Sequence, residues 1–89
     1  MKRIILFFLL FISVTLCFAN SSALEFYGVG KSFQQREDFP SAIEQYQEAL
    51  LLNPDYADAW IALAECAYAM DEYSRALTCL DSASRYYKN

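Results

Sequence analysis

Histidine is absent from the 89 residues, and glycine and proline occur only twice each. Without histidine the chain cannot build a Ser–His or Cys–His nucleophile pair, and it lacks the commonest metal ligand. Two glycines do not make a phosphate-cradling loop, because Gly28-x-Gly30 opens no strand-to-helix turn. Basic residues are scarce as well. There are seven Lys and Arg against eleven Asp and Glu, with no basic cluster. Nucleic-acid binding depends on clustered cations that neutralise phosphates, and anionic lipid headgroups make the same demand. The carboxylates scatter over solvent-facing helix positions, and Asp71-Glu72 has the character of turn and capping chemistry. These absences argue against an enzyme, a cofactor or a metal site. A protein partner with a basic or apolar face is compatible with an acidic chain, at least for the rate of encounter.

The N-terminus is built differently from the rest. Met1-Lys2-Arg3 is followed by a run from Ile4 to Phe18 that only Ser13 and Thr15 interrupt. Small residues come next, and both Cys17-Phe18-Ala19 and Ser21-Ser22-Ala23 fit a small-x-small cleavage pattern. This layout predicts a secretory signal peptide over 1–19, cut near 19 or 23, and a secreted or periplasmic protein. The alternative is an uncleaved anchor, which makes the protein a membrane-tethered structural subunit of an envelope or secretion assembly. A crossing helix needs about 20 apolar residues, and Ile4 to Ala19 supplies sixteen. A lipid-modified Cys17 would normally follow a small residue, whereas Leu16 precedes it. Removal of 1–19 leaves five basic and eleven acidic residues, a net charge of −6.

What the remainder contains is a 34-residue period. Phe26, Val29, Gly30, Phe33, Ala42, Tyr46 and Ala49 return as Trp60, Leu63, Ala64, Ala67, Ala76, Leu80 and Ala83. Phe39 returns as Tyr73, and Pro54 closes the first unit. Apolar offsets of three, four and seven predict helices over 23–36, 40–52, 56–69 and 73–87. Asp38 and Pro40 suit the start of the second helix. Asn53-Pro54 breaks the pattern. Asp55 with Asp58 resembles a capping box for the third helix, and Asp71 or Glu72 starts the fourth. Connections this short make neighbouring helices antiparallel. Gly30 costs about 1 kcal/mol in a helix interior. Small residues at Gly30, Ala42, Ala49, Ala64, Ala76 and Ala83 would let backbones approach while Phe26, Phe33, Tyr46 and Trp60 fill the intervening space.

At these positions the chain resembles the tetratricopeptide repeat family. Phe26, Val29, Gly30, Phe33, Ala42, Tyr46, Ala49 and Pro54 match its pattern in order, and Trp60, Leu63, Ala64, Ala76 and Ala83 match in the second unit. Departures are Ala67, Leu80 and Lys88, where two aromatics and the closing proline would stand. The resemblance implies an all-α fold, an α-α superhelix of two helix–turn–helix units with four antiparallel helices: repeat 1 over 23–56 and repeat 2 over 57–89. It also implies a right-handed stack and a non-catalytic adaptor or scaffold that binds a peptide or helix of another protein in a concave groove. The groove candidates are Leu24, Tyr27, Lys31, Gln34 and Gln35 on the first helix and Asp58, Ile61, Glu65 and Tyr68 on the third, about 100–140° round from the packing stripe. Ordinary surface positions are the competing reading. Lys31 is the sole cation among them, which argues against the carboxylate clamp of some family members.

Two questions stay open in the sequence. Cys66 and Cys79 sit at similar height on antiparallel helices, but their directions diverge, so two small semi-buried thiols are favoured over a disulfide. About three repeats are usually needed for independent stability, so Leu77, Leu80, Tyr86 and Tyr87 on the last helix are candidates for an association surface, self-association included.

Overall fold

The structure, a computed structural model, describes residues 22–87. The expected signal segment, 1–19, lies outside them. Four helices make up the described chain: α1 over 22–35, α2 Phe39–Leu52, α3 Ala57–Ala69 and α4 Tyr73–Tyr87. No helix among the described residues is long and apolar enough to cross a membrane.

The first and last turns are the same turn, one period apart. Glu37 and Asp71 both take a left-handed backbone, with φ of 61° and 63°. After α1, the Asp38 N–H donates to the Phe33 carbonyl at 2.9 Å and the Glu37 N–H to the Gln34 carbonyl at 3.0 Å. After α3, Glu72 donates to Ala67 at 2.8 Å and Asp71 to Tyr68 at 3.0 Å. This is a Schellman stop, which satisfies carbonyls at the helix end and turns the chain back in two or three residues. Asp38 then caps α2, its Oδ1 accepting from the Ser41 N–H at 3.5 Å.

The middle turn is different. The Tyr56 N–H donates to the Asn53 carbonyl, carrying the chain round Pro54 and Asp55. Tyr56 is the residue that precedes the first helical turn of α3, and no side chain caps that helix. The expected Asp55–Asp58 capping box is therefore corrected. The proline turn consumes Asp55 and leaves it one residue too early, while Asp58 sits in the first turn and complements the helix dipole. Trp60 ties the turn down by donating its Nε1–H to the Pro54 carbonyl at 2.8 Å.

α3 is the centre of the array, packed against α2 on one side and α4 on the other. Its Ala59, Ala62, Leu63, Ala64, Cys66 and Ala67 are all buried. They join Ala42, Ile43, Tyr46, Ala49 and Leu50 of α2 and Ala76 and Cys79 of α4 in one core, with Phe26, Phe33 and Trp60 partly buried against it. Small residues dominate the contact surfaces, so the helix backbones come close and a few large rings fill what remains. Gly30 shows the principle directly. A Cβ added there would stand 2.5 Å from Cε1 of Tyr46, whose ring lies across the α1 backbone.

Candidate functional site

Tyr46 is the largest fully buried side chain with Cys66, and its hydroxyl anchors a chain of hydrogen bonds across three helices. It donates to Oε1 of Gln34 on α1 at 2.6 Å, and Nε2 of Gln34 donates to Oε2 of Glu65 on α3 at 2.8 Å. Burial, then the neighbouring Cys66, Tyr27 and Glu65, pushes the Tyr46 hydroxyl far above the usual phenol range. A buried hydroxyl with one good acceptor stays neutral, and here it fixes the amide orientation of Gln34. Gln34 and Glu65 were expected as groove residues and Tyr46 as packing. The structure brings all three together as one tie between helices, a link that single-helix periodicity could not show.

Beside this tie runs an aromatic strip. The Tyr27 ring lies 5.8 Å from Tyr46 and 5.2 Å from Tyr56, and the Lys31 ammonium stands 5.9 Å above Tyr27. Tyr87 donates its hydroxyl to Asp58, joining the end of α4 to the start of α3. Tyr56 and Tyr87 thus belong to this region. Tyr56 lies in a turn and had no helical period to mark it. Tyr87 was expected at the exposed end of α4, and although half-exposed it is held through its hydroxyl.

The remaining groove candidates do not converge on one point. Ile61 is half-buried, Gln35 and Leu24 are exposed, and Tyr68 is 66 % exposed, its ring edge-on to Tyr73 with centroids 5.3 Å apart. Tyr68 and Glu65 line an apolar depression of about 280 Å³ with Ala64, Ala76 and Leu80. A larger open groove, about 630 Å³, lies between α2 and α4 over Trp60 and Leu63 of α3, flanked by Glu48 and Arg75. It is lined by residues of three helices, so no single-helix pattern marks it.

One expected packing residue needs correction: Val29 is 45 % exposed. Leu80, expected both in the repeat packing and on the exposed end of α4, is 48 % exposed, and no described helix covers either side chain's outer side. Pro54 is exposed too and acts through its carbonyl. Phe26, Gly30, Phe33, Ala42, Ala49, Trp60, Leu63, Ala64, Ala76 and Ala83 lie in or against the packed interior.

Cys66 and Cys79 are both buried and unpaired. Cys66 lies beside Tyr46 on the α1 side of α3, whereas Cys79 faces the Trp60 and Leu63 side. Burial pushes the Cys66 thiol up to about 11, with Glu65 adding to the rise and Lys31 opposing it. Burial also raises Cys79, against the pull of Arg75. Neither is activated as a nucleophile, since the thiolate is disfavoured in both. Among the described residues, no group of three or more His, Cys, Asp or Glu stands close enough to hold a metal ion.

Comparison with known proteins agrees with this architecture. A family model described as Tetratricopeptide repeat matches residues 33–89. The chain is also 38 % identical over 56 residues to the general transcriptional corepressor ssn6 of Schizosaccharomyces pombe, an alignment covering 63 % of this chain and 5 % of that protein. The likeness is to a short section of a far longer molecule. Repeats of this family generally mediate protein–protein interaction and are typically non-catalytic. With its 34-residue period, its repeated Schellman turns and a family match over more than half its length, the chain belongs to the tetratricopeptide repeat family.

Proposed function

We propose that the protein is an exported, non-catalytic adaptor that binds a peptide or helix of another protein along the face shared by α1 and α3. The observation that carries this reading is the Tyr27–Lys31 pair on α1 beside the Gln34–Glu65 link from α1 to α3. Lys31 stands over the Tyr27 ring on α1, Gln34 bonds across to Glu65 on α3, and Tyr68 of α3 is exposed. Tyrosines offer apolar area with a polar tip at low entropic cost. A pre-organised face of this kind loses little freedom when a partner docks.

Export rests on the charged start, apolar run and small residues of the N-terminus. Cleavage after 19 leaves α1 whole. Cleavage after 23 removes the buried Ala23 from it. The intact mass of the protein isolated from its native compartment decides this, and retention of 1–19 would favour the membrane-tethered subunit.

The binding test pairs two substitutions. Tyr68→Ala on the exposed face should abolish capture of the native partner by the immobilised protein while the helical circular dichroism spectrum is unchanged. Ala76→Leu, inside the α3–α4 contact, should instead damage the fold. Equal capture by Tyr68→Ala, Ile61→Ala and the unsubstituted protein would exclude this face as the binding site.

A further inference from the structure

The described residues present, at opposite faces, two halves of an interface that they already make once internally. On repeat 1, the Tyr46 ring covers Gly30, Gln34 is bonded to Glu65 of α3, and Tyr46 is left with no exposed surface. One period later those positions are Ala64, Tyr68 and Leu80, and they line the open depression of about 280 Å³. Ile43, 6 % exposed, becomes Leu77 at 69 %. The converse holds on the other side of the seam. Ala59, Ala62 and Cys66 of α3 are buried, and one period earlier Glu25, Gly28 and Ser32 of α1 are exposed.

We infer that the Leu80 end of one chain takes the Gly28–Val29 face of α1 from a second copy, so that copies join head to tail by the same step that joins the two repeats. Shape supports this occupant. Gly28 has nothing within 4 Å of the place a Cβ would take, leaving the same close approach that Ala62 uses, and Val29 stands where Leu63 does. One local charge pair favours it against the general repulsion between acidic copies. The only ionisable carboxylate in the depression is Glu65, and the incoming α1 brings Lys31. Glu25 takes the place of Ala59 and keeps its charge by staying at the rim, which limits the contact to a weak one. Such an interface is heterologous. It leaves a free head and a free tail after every addition, and so gives an open series of assemblies with no closed dimer.

The test uses the chain expressed from its full sequence, in the form the cell leaves it, with mass measured by sedimentation across a concentration series. The unsubstituted protein should grow in mass without levelling at two chains. Val29→Glu on the head and Leu80→Glu on the tail should each give only monomer, with the helical spectrum retained. Leu77→Glu, at a more exposed tail position, serves as a second tail variant. The decisive measurement mixes Val29→Glu with Leu80→Glu. The first keeps an intact tail and the second an intact head, so the mixture should form a species of two chains and stop there. A monomer at every concentration overturns the inference. So does assembly that survives both substitutions, which would place the contact elsewhere, for example in the N-terminal apolar run. Loss of assembly with Leu80→Glu but not Val29→Glu would show a symmetric tail-to-tail contact and overturn it equally.

Discussion

Tyr46 and Leu80 hold the same place in successive repeats, yet the first is completely buried and the second is 48 % exposed. The helices that carry them are alike, the turns before them are alike, and Glu37 and Asp71 have nearly the same φ. Only the neighbours differ. Repeat 1 has α3 against it, while among the described residues nothing covers the corresponding face of repeat 2. In a solenoid each unit buries its apolar face mostly against the next one. Backbone geometry is thus a property of each repeat, and burial is a property of the pair.

The largest consequence concerns those two side chains. Tyr46→Ala should cost about 3–5 kcal/mol, on the order of the entire stability of so small an array, and should abolish cooperative thermal unfolding. Leu80→Ala should cost no more than about 1 kcal/mol, because its side chain is already half in water. Equal losses in denaturant titrations would mean that repeat 2 is covered as well as repeat 1.

Glycine sharpens the same contrast within a single helix. Gly30→Ala sets a methyl group against the ring of Tyr46, which is locked by burial and by its bond to Gln34, and overpacking of this kind costs about 1–3 kcal/mol. Gly28→Ala meets nothing and should gain about 1 kcal/mol from helix propensity. Opposite signs in the two melting temperatures are the expected result.

Alkaline pH should weaken the seam around Tyr46. Cys66 folds with its thiol raised from 9 to about 11, and Tyr46 folds with its hydroxyl raised as well. A raised value favours the neutral form in the folded state. The stability linked to Cys66 is therefore fully present below pH 9 and is lost as pH climbs through about 11. Melting temperature should fall across that window, and Cys66→Ala should flatten the decline.

The smallest effect tests the claim that the turns are equivalent. Glycine removes the left-handed strain at Glu37 or Asp71, at some cost in backbone entropy, for a net gain of about 0.5–1 kcal/mol. Glu37→Gly should gain slightly more, since Asp71 also accepts a hydrogen bond from the Tyr73 hydroxyl at 2.8 Å.

Much of this molecule was legible in its residues. The four predicted helices agree with the observed ones to within a residue, because apolar spacing and turn chemistry are local signals. The notch at Gly30 was legible too, since a mid-helix glycine requires a reason. What escaped were contacts set by partners distant in the chain. Gln34 reaches Glu65 thirty-one positions away. Asp55 is displaced by the path round Pro54, and Tyr56 gains its role only because Tyr27 packs beside it. The groove over Trp60 and Leu63 is assembled from α2, α3 and α4 together, which no pattern within one helix records.

The sequence by itself determined the element order, the period, the small-against-large packing and the membership of a repeat family. It did so because each rests on spacings within one helix or one turn. Tertiary structure alone decided which copies of the repeated positions are buried. The corresponding positions Tyr46 and Leu80 meet opposite environments, because solvent exposure depends on which helix lies alongside and not on the helix that carries the residue.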